Sequence, residues 1–207
     1  MASPLSLIPY IFSQVEGETI LDVGCGEGTY GFLLSNLWFQ TQAWQNNPKR
    51  RCPKLIVGLD VKRKLNRSKL IKNIYAKFVC TSAERLPFPD KSFETIICIE
   101  VIEHLKKESV QKLLGEMERV AKKQIIISTP RDPLNKRFFS NSKLGNYKNW
   151  PVPDQHKSQI SIEELERRSY QSIYSPVQKK NWNIITMMRF IFFRFFSNSI
   201  IAIKYIK

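Results

Sequence analysis

A short apolar run that ends abruptly in a cluster of glycines constrains the fold of this 207-residue chain more than any other feature. Residues 19–23 read Thr-Ile-Leu-Asp-Val, and glycines follow at positions 24, 26 and 28. The apolar run predicts a buried strand, the glycines predict a tight turn, and a helix is expected to start near Thr29. Because glycine has no Cβ, such a turn lets a cofactor lie close to the backbone. Taken alone, the pattern also fits a nicotinamide site or a purely structural turn.

Strand-like and helix-like segments alternate along the rest of the chain. Further strands are predicted by apolar runs at residues 55–60, 75–80, 93–99 and 124–128. Residues 108–122 carry apolar side chains at helical spacing, which predicts a helix covering the sheet. This alternation predicts an α/β fold in one domain, with a mostly parallel sheet and helices on both faces. Ligands of such sheets bind at the carboxyl ends of the strands. Polar residues at or just past predicted strand ends are Asp22, Asp60, Ser82 and Glu100.

Asp60 narrows the class of cofactor. It ends the second predicted strand, where a carboxylate can accept hydrogen bonds from both hydroxyls of a ribose. Such bonds are strong because they are charge-assisted. Asp60 therefore favours an adenosine-containing cofactor, the alternative being a solvated loop aspartate.

The block at residues 81–105 distinguishes among adenosine cofactors. It reads Thr-Ser-Ala-Glu-Arg-Leu-Pro-Phe-Pro-Asp-Lys-Ser-Phe-Glu-Thr-Ile-Ile-Cys-Ile-Glu-Val-Ile-Glu-His-Leu. This block resembles the class I S-adenosylmethionine-dependent methyltransferase superfamily, in the branch that includes the quinone-biosynthesis methyltransferases. The turn at Asp22 is similar to that family's first motif, and Asp60 matches its ribose-binding acid. The resemblance covers residues 15–170.

The resemblance implies a Rossmann-like sheet of seven strands, with the last strand antiparallel. It also implies that the apolar segment 182–207 supplies the last two strands. The length of the chain predicts one domain that spans residues 1–207. Residues 184–203 are long enough to cross a bilayer, but Arg189 and Arg194 interrupt them. We therefore expect no transmembrane span, and a membrane-surface role stays open.

The resemblance also implies a set of residues that bind S-adenosylmethionine. They are Asp22, Gly24, Cys25, Gly26, Asp60, Ser82, Ala83, Glu84 and Glu100. Position 82 often carries an acid that reaches the adenine amino group in this family, and here it is Ser82. A hydroxyl accepts that hydrogen bond more weakly than a carboxylate. The adenine contact is therefore expected to rest in part on Ala83 backbone groups or on Glu84.

Two glutamates and two histidines are the candidates for catalysis. On a helix, the spacing of Glu100, Glu103 and His104 would place all three side chains on one face. His156 could approach them from the long segment 131–158, which is rich in basic and aromatic residues and is predicted to be a substrate lid. A similar set binds a metal in the small-RNA 3′-terminal 2′-O-methyltransferases, which implies a divalent metal such as Mg²⁺. Alternatively, His104 or His156 acts as a general base, or Glu103 and His104 only orient the helix.

The net charge of +15 indicates an anionic partner or a solvated basic surface. Residues 49–72 hold ten Lys and Arg against one acid, and with the predicted lid they could follow an RNA backbone. An anionic membrane surface is the other candidate partner for these charges. The four cysteines form no CxxC pair, and the chain starts without a signal-peptide pattern, so a cytoplasmic location is expected.

Three functions follow from these features. The first is transfer of a methyl group to an oxygen of a small or amphipathic acceptor. The second is methylation of an RNA ribose 2′-hydroxyl, metal-assisted if the Glu/His set binds an ion, which the charge and that set favour. The third is a non-catalytic, cofactor-binding partner protein.

Overall fold

The strands predicted from the apolar runs belong to one seven-stranded sheet. The computed structural model describes residues 7–36, 53–130, 157–174 and 199–206. The strands are β1 (Thr19–Val23), β2 (Leu55–Asp60), β3 (Lys77–Cys80), β4 (Phe93–Ile99), β5 (Ala121–Pro130), β6 (Gln171–Tyr174) and β7 (Ser199–Tyr205). The helices are α1 (Ile8–Gln14), α2 (Thr29–Asn36), α3 (Lys69–Ile74), α4 (Lys107–Val120) and α5 (Ile162–Arg167). Arg63–Arg67 and Ile102–His104 form 3-10 helices.

The strand order is β3–β2–β1–β4–β5–β7–β6. Strands β1 to β5 pair in parallel, and β7 is antiparallel to both of its neighbours. Parallel neighbours need long crossover connections, which the intervening helical segments supply. The prediction of a Rossmann-like, mostly parallel seven-stranded sheet with an antiparallel last strand is confirmed.

One strand lies elsewhere in the sequence than expected. The segment 182–207 is predicted to supply the last two strands. In the described residues β7 comes from this segment, whereas β6 lies earlier, at Gln171–Tyr174, and residues 182–198 lie outside the described part of the chain. Helix α5 ends just before β6, and Ser169 turns the chain with a φ of 65°. A four-residue edge strand needs no long apolar run, which is the signal behind the prediction.

Apolar side chains cover both faces of the sheet. In β1, Leu21 and Val23 belong to the core cluster beneath α4, whereas Ile20 belongs to the cluster beneath α1, α2 and α3. This alternation follows the two-residue period of a strand. Helix α4 buries Leu113 and Met117 on the first of these faces, at the helical spacing predicted for residues 108–122. Helices therefore lie on both sides of the sheet, as predicted.

Two expectations concern the remainder of the chain. The predicted lid at 131–158 lies outside the described residues except for Lys157 and Ser158. In the parts of the chain that the structure describes, no helix has the length and apolar character needed to cross a membrane.

Candidate functional site

A cavity of about 720 Å³ opens at the carboxyl ends of β1, β2 and β4. Its volume lies within the usual range for small-molecule sites. Eight of the nine predicted cofactor-binding residues line this cavity, namely Asp22, Gly24, Cys25, Gly26, Asp60, Ser82, Ala83 and Glu100. The parallel register brings these residues together because Asp22 pairs with Gly58 on one side and with Ile97 on the other.

Backbone hydrogen bonds fasten the glycine turn to the end of β2. The N–H groups of Gly24 and Cys25 donate to the Leu59 carbonyl at 2.7 and 3.0 Å. Gly24 and Gly26 both have positive φ, which favours glycine over other residues. A Cβ on Gly26 would meet no atom within 4 Å, so this part of the turn faces open space in the cavity wall. The turn is therefore fixed in place while its backbone stays open to a ligand.

Asp60 is buried at the tip of β2 and contacts the same turn. Its Oδ2 accepts the Gly26 N–H at 3.0 Å, and its Oδ1 accepts the Lys62 N–H at 2.8 Å. A carboxylate offers about four lone-pair sites, so two bonds to the backbone leave capacity for two ligand hydroxyls. Asp60 thus lines the cavity and keeps acceptor capacity for a ligand.

Asp22 lies under the turn and is held by a residue that sequence analysis missed. The Tyr75 hydroxyl donates to Asp22 Oδ2 at 2.6 Å. Burial raises the pKa of Asp22 to about 7, the bond from Tyr75 opposes that rise, and the charge of Asp60 adds to it. Tyr75 lies between α3 and β3, where no motif or periodicity marked it as functional.

The loop after β3 turns one predicted residue away from the cavity. Ser82 and Ala83 line the cavity, and the Ser82 hydroxyl accepts the Glu84 N–H at 3.3 Å. The Glu84 carboxylate instead accepts the Ser109 hydroxyl at 2.8 Å and pairs with Lys112 at 3.6 Å. Glu84 therefore holds this loop against α4, and the expected contact of its side chain with adenine has no support in the geometry.

The segment after β4 forms the other end of the cavity and departs from the predicted helix. Glu100 has a φ of 55°, and only Ile102–His104 make a short 3-10 turn. The prediction that Glu100, Glu103 and His104 share one helical face is therefore wrong, because the left-handed residue interrupts the helical phase. Glu100 and His104 still line the cavity, whereas Glu103 is 2% exposed and points inward.

Glu100 and Glu103 each accept a hydrogen bond from a hydroxyl group of β5. The Ser128 hydroxyl donates to Glu100 Oε1 at 2.7 Å, and the Thr129 hydroxyl donates to Glu103 Oε2 at 3.3 Å. Burial raises the pKa of Glu100 to about 7. Burial, and then the charge of Glu100, also raises the pKa of Glu103. Near neutral pH the pair therefore carries less than two full negative charges.

His104 lines the cavity in front of the buried Glu103. Its Nε2 is 3.8 Å from Glu103 Oε1, and its backbone N–H donates to the Val101 carbonyl. Lys157, another lining residue that sequence analysis missed, reaches the site because its N–H donates to the Glu103 carbonyl at 2.6 Å. No sequence signal connects position 157 with position 103. The arrangement places an imidazole at the cavity wall with a carboxyl behind it.

The predicted metal site is not supported. Within the described ranges, no group of three or more His, Cys, Asp and Glu side chains is placed to hold a metal ion. Glu103 faces the interior, and its raised pKa favours a neutral carboxyl, which is a poor ligand for Mg²⁺. His156, the fourth predicted ligand and second candidate base, lies outside the described residues.

Comparison with known families identifies the chemistry. Residues 21–127, half of the chain, match the family of methyltransferase domains. The chain belongs to the class I S-adenosylmethionine-dependent methyltransferases. The prediction of the enzyme class is therefore confirmed, and the matched range contains the glycine turn, Asp60 and the block at 81–105. The quinone-biosynthesis branch stays a prediction.

Similar proteins support the shared fold. An uncharacterized protein of Methanocaldococcus jannaschii is 27% identical over 175 residues, which are 83% of this methyltransferase and 63% of that protein. This methyltransferase thus spans less than two thirds of that relative's length. The structure of magnesium protoporphyrin IX methyltransferase from Synechocystis PCC 6803 with bound SAH superposes with a TM-score of 0.57 at 16% identity, covering 98% of this chain and 80% of that one. A SAM-dependent methyltransferase from Archaeoglobus fulgidus gives 0.56 at 19% identity, covering 96% and 91%.

Proposed function

We propose that this methyltransferase binds S-adenosylmethionine in the cavity and methylates an oxygen of a small or amphipathic hydroxylated acceptor, with His104 as the general base. The observation that carries the proposal is the position of His104 on the cavity wall, 3.8 Å in front of the buried Glu103 carboxyl. That position is at the β4 end of the cavity, whereas Asp60 is at the β2 end.

The β2 end of the cavity fits the adenosine part of the cofactor. The open backbone at Gly26 allows close approach, and Asp60 retains acceptor capacity for two ribose hydroxyls. Ser82 and Ala83 line the same cavity and are the residues proposed to contact the adenine ring. When bound, the cofactor supplies a methyl group already activated by its sulfonium sulfur. The protein's tasks are then to align the acceptor and to remove its proton.

The β4 end fits an acceptor that combines a hydroxyl with an apolar body. Ile99, Val101 and Leu105 line this end together with His104 and Glu100. The His104 imidazole can accept the proton of an acceptor hydroxyl as the oxygen attacks. Burial favours a neutral Glu103 carboxyl in the resting site, and the positive charge of an imidazolium beside it would favour the carboxylate, which would then stabilise the imidazolium. The polar side chain of His104 and the apolar side chains around it together favour a phenol-like or amphipathic alcohol over a fully polar acceptor.

The test is His104→Gln with a panel of hydroxylated acceptors. Loss of a general base lowers turnover by about 10²–10⁴-fold. The affinity for S-adenosylhomocysteine, measured by calorimetry, is expected to stay unchanged because this substitution does not alter the β2 end. His156→Gln tests the second predicted base in parallel. Turnover by His104→Gln at the wild-type rate would contradict the proposal.

An RNA ribose hydroxyl is the second candidate acceptor, favoured by the net charge of +15. RNA binding must weaken as salt rises, because cations that contact phosphates displace counterions. If the rate of methyl transfer to RNA did not change with salt concentration, this would argue against a surface that binds the RNA phosphates. Full activity in excess EDTA is expected for either acceptor, because the predicted ligand Glu103 is buried and its raised pKa favours a neutral carboxyl.

A further inference from the structure

The connection between β2 and β3 carries a dense group of cations. Seven Lys and Arg occur between residues 61 and 83, and no acidic residue lies among them. We define the basic face as Lys62, Arg63, Lys64, Arg67, Lys69, Lys72 and Lys77. Six of these side chains are exposed, and Lys62 is half-buried at the cavity rim. This face has a concentrated positive charge beside the opening of the site.

The basic face differs from the cations near α4 in having few acidic partners. Lys64 pairs with Glu27 at 3.6 Å. Across the described ranges no acidic side chain pairs with the following members of the face: Arg63, Arg67, Lys69, Lys72 and Lys77. Around α4, in contrast, Arg119 pairs with Asp90 and Glu116. The charges of these five residues are therefore available to an external anion.

Exposed aliphatic side chains accompany these charges. Val61 is 65% exposed and Leu70 is 53% exposed, and both lie among the cations in the sequence. The aromatic residues between positions 61 and 83 are Tyr75, which is buried, and Phe78, which is half-buried and packs against the core. Single-stranded RNA is held by aromatic platforms as well as by cations, whereas a lipid interface accepts aliphatic chains between anionic headgroups. The combination favours lipid over RNA.

We propose that the basic face docks this methyltransferase on an anionic lipid surface. Lys62 of the basic face and its exposed neighbour Val61 also line the cavity, so docking would bring the cavity opening close to the headgroups. The link to an amphipathic acceptor, which would reach the site from the lipid, rests on the proposed function. Docking itself does not depend on that acceptor, because the charges and the exposed side chains lie outside the β4 end.

Vesicle sedimentation with the full chain tests the docking. Vesicles of phosphatidylcholine with and without phosphatidylserine are compared at low and high salt. Each cation near an anionic surface contributes about a fivefold gain in affinity, so Arg67→Gln/Lys69→Gln/Lys72→Gln is expected to lose about 100-fold. The matched control is Lys107→Gln/Lys122→Gln/Arg167→Gln, which removes three exposed cations elsewhere and is expected to bind nearly as the wild type. Equal losses in the two triple variants would overturn the proposal.

A second pair of measurements separates lipid from RNA. Leu70→Ser is expected to weaken binding to anionic vesicles by about three- to tenfold, because an exposed apolar side chain no longer enters the interface. Its binding to a single-stranded oligouridylate should stay unchanged. Binding of RNA through the basic face, with no binding to anionic vesicles, would overturn the lipid assignment. Turnover of a soluble acceptor by the triple variant reports separately on the proposed function.

Discussion

The two ends of the cavity are assembled in different ways. At the β2 end, the glycine turn is bound by the tip of the adjacent strand through Leu59 and Asp60. At the β4 end, Glu100 meets Ser128 from β5, and the Glu103 carbonyl meets the N–H of Lys157. The first end depends on glycines and short strand ends, and the second depends on contacts between segments distant in sequence. Changes at the β2 end should therefore act on cofactor affinity, and changes at the β4 end on protonation and turnover.

Close packing reinforces the β2 end. A Cβ on Gly31 would lie 2.4 Å from the Tyr75 ring, and one on Gly58 would lie 2.9 Å from it. A Cβ on Gly24 would lie 2.4 Å from Val101, where the two ends of the cavity touch. The Tyr75 ring thus occupies space that only glycines leave open, while its hydroxyl holds Asp22.

The largest expected effect comes from Asp60→Ala. This change leaves two backbone N–H groups without their acceptor, and it removes the side chain that is predicted to bind the ribose. Hydrogen bonds to a charged group contribute about 1.5–3 kcal/mol each, so we expect the dissociation constant for S-adenosylhomocysteine to rise by about 100-fold or more. Titration calorimetry measures it.

Two variants serve as references for Asp60→Ala. Asp60→Asn keeps one acceptor and should fall between the variant and the wild type. Asp90→Ala, which removes an exposed acid outside the cavity, should leave the affinity unchanged. An unchanged affinity in Asp60→Ala would remove Asp60 from the cofactor site.

The next largest effect is a pH dependence of stability that arises at the β4 end. Because the folded-state pKa of Glu100 is raised to about 7, its contribution to stability is complete below about pH 4.5 and is lost as pH rises through 7. In Glu100→Gln, the free energy of unfolding should fall by about 2–3 kcal/mol less over this pH range than in the wild type. Urea unfolding between pH 5 and pH 8 measures the change.

A control for the pH experiment removes one carboxylate from an exposed position, as in Glu166→Gln. Asp22 adds a fall of the same sign in both variants, since its pKa is also raised to about 7. The same pH profile in Glu166→Gln and Glu100→Gln would contradict a raised pKa of Glu100 in the folded protein.

A smaller effect is expected from Tyr75→Phe. The variant keeps the ring between the glycines and removes only the hydroxyl that donates to Asp22. A buried carboxylate that loses a donor costs about 1–3 kcal/mol, and we expect about tenfold weaker binding of S-adenosylhomocysteine. Tyr170→Phe is the matched control, because the buried Tyr170 hydroxyl has no hydrogen-bond partner in the described parts of the chain. Equal effects of the two variants would show that Tyr75 acts only by filling space.

The same contrast explains what could be predicted from the sequence. The bounds of β1, β2 and β4 match the predicted runs because buried parallel strands are continuous apolar segments. The turn and Asp60 followed from chemistry that is local in sequence. Tyr75 and Lys157 were missed because their partners are far along the chain. The spacing of Glu100 to His104 suggested a helix, since periodicity alone does not reveal one left-handed residue.

The smallest effect is expected from Glu84→Ala, which tests where the β2 end stops. The Glu84 carboxylate contacts Ser109 and Lys112 of α4, on the far side of the loop from the cavity. We therefore expect the affinity for S-adenosylhomocysteine to stay within about twofold, and the free energy of unfolding to fall by at most about 1 kcal/mol, as for exposed ion pairs. Ser82→Ala, two residues earlier and facing the cavity, should weaken cofactor binding more than it lowers stability. A tenfold loss of affinity in Glu84→Ala, with normal stability, would contradict this assignment. The Glu84 side chain of the wild type would then have to turn into the cavity when the cofactor binds, and Glu84 would belong to the cofactor site.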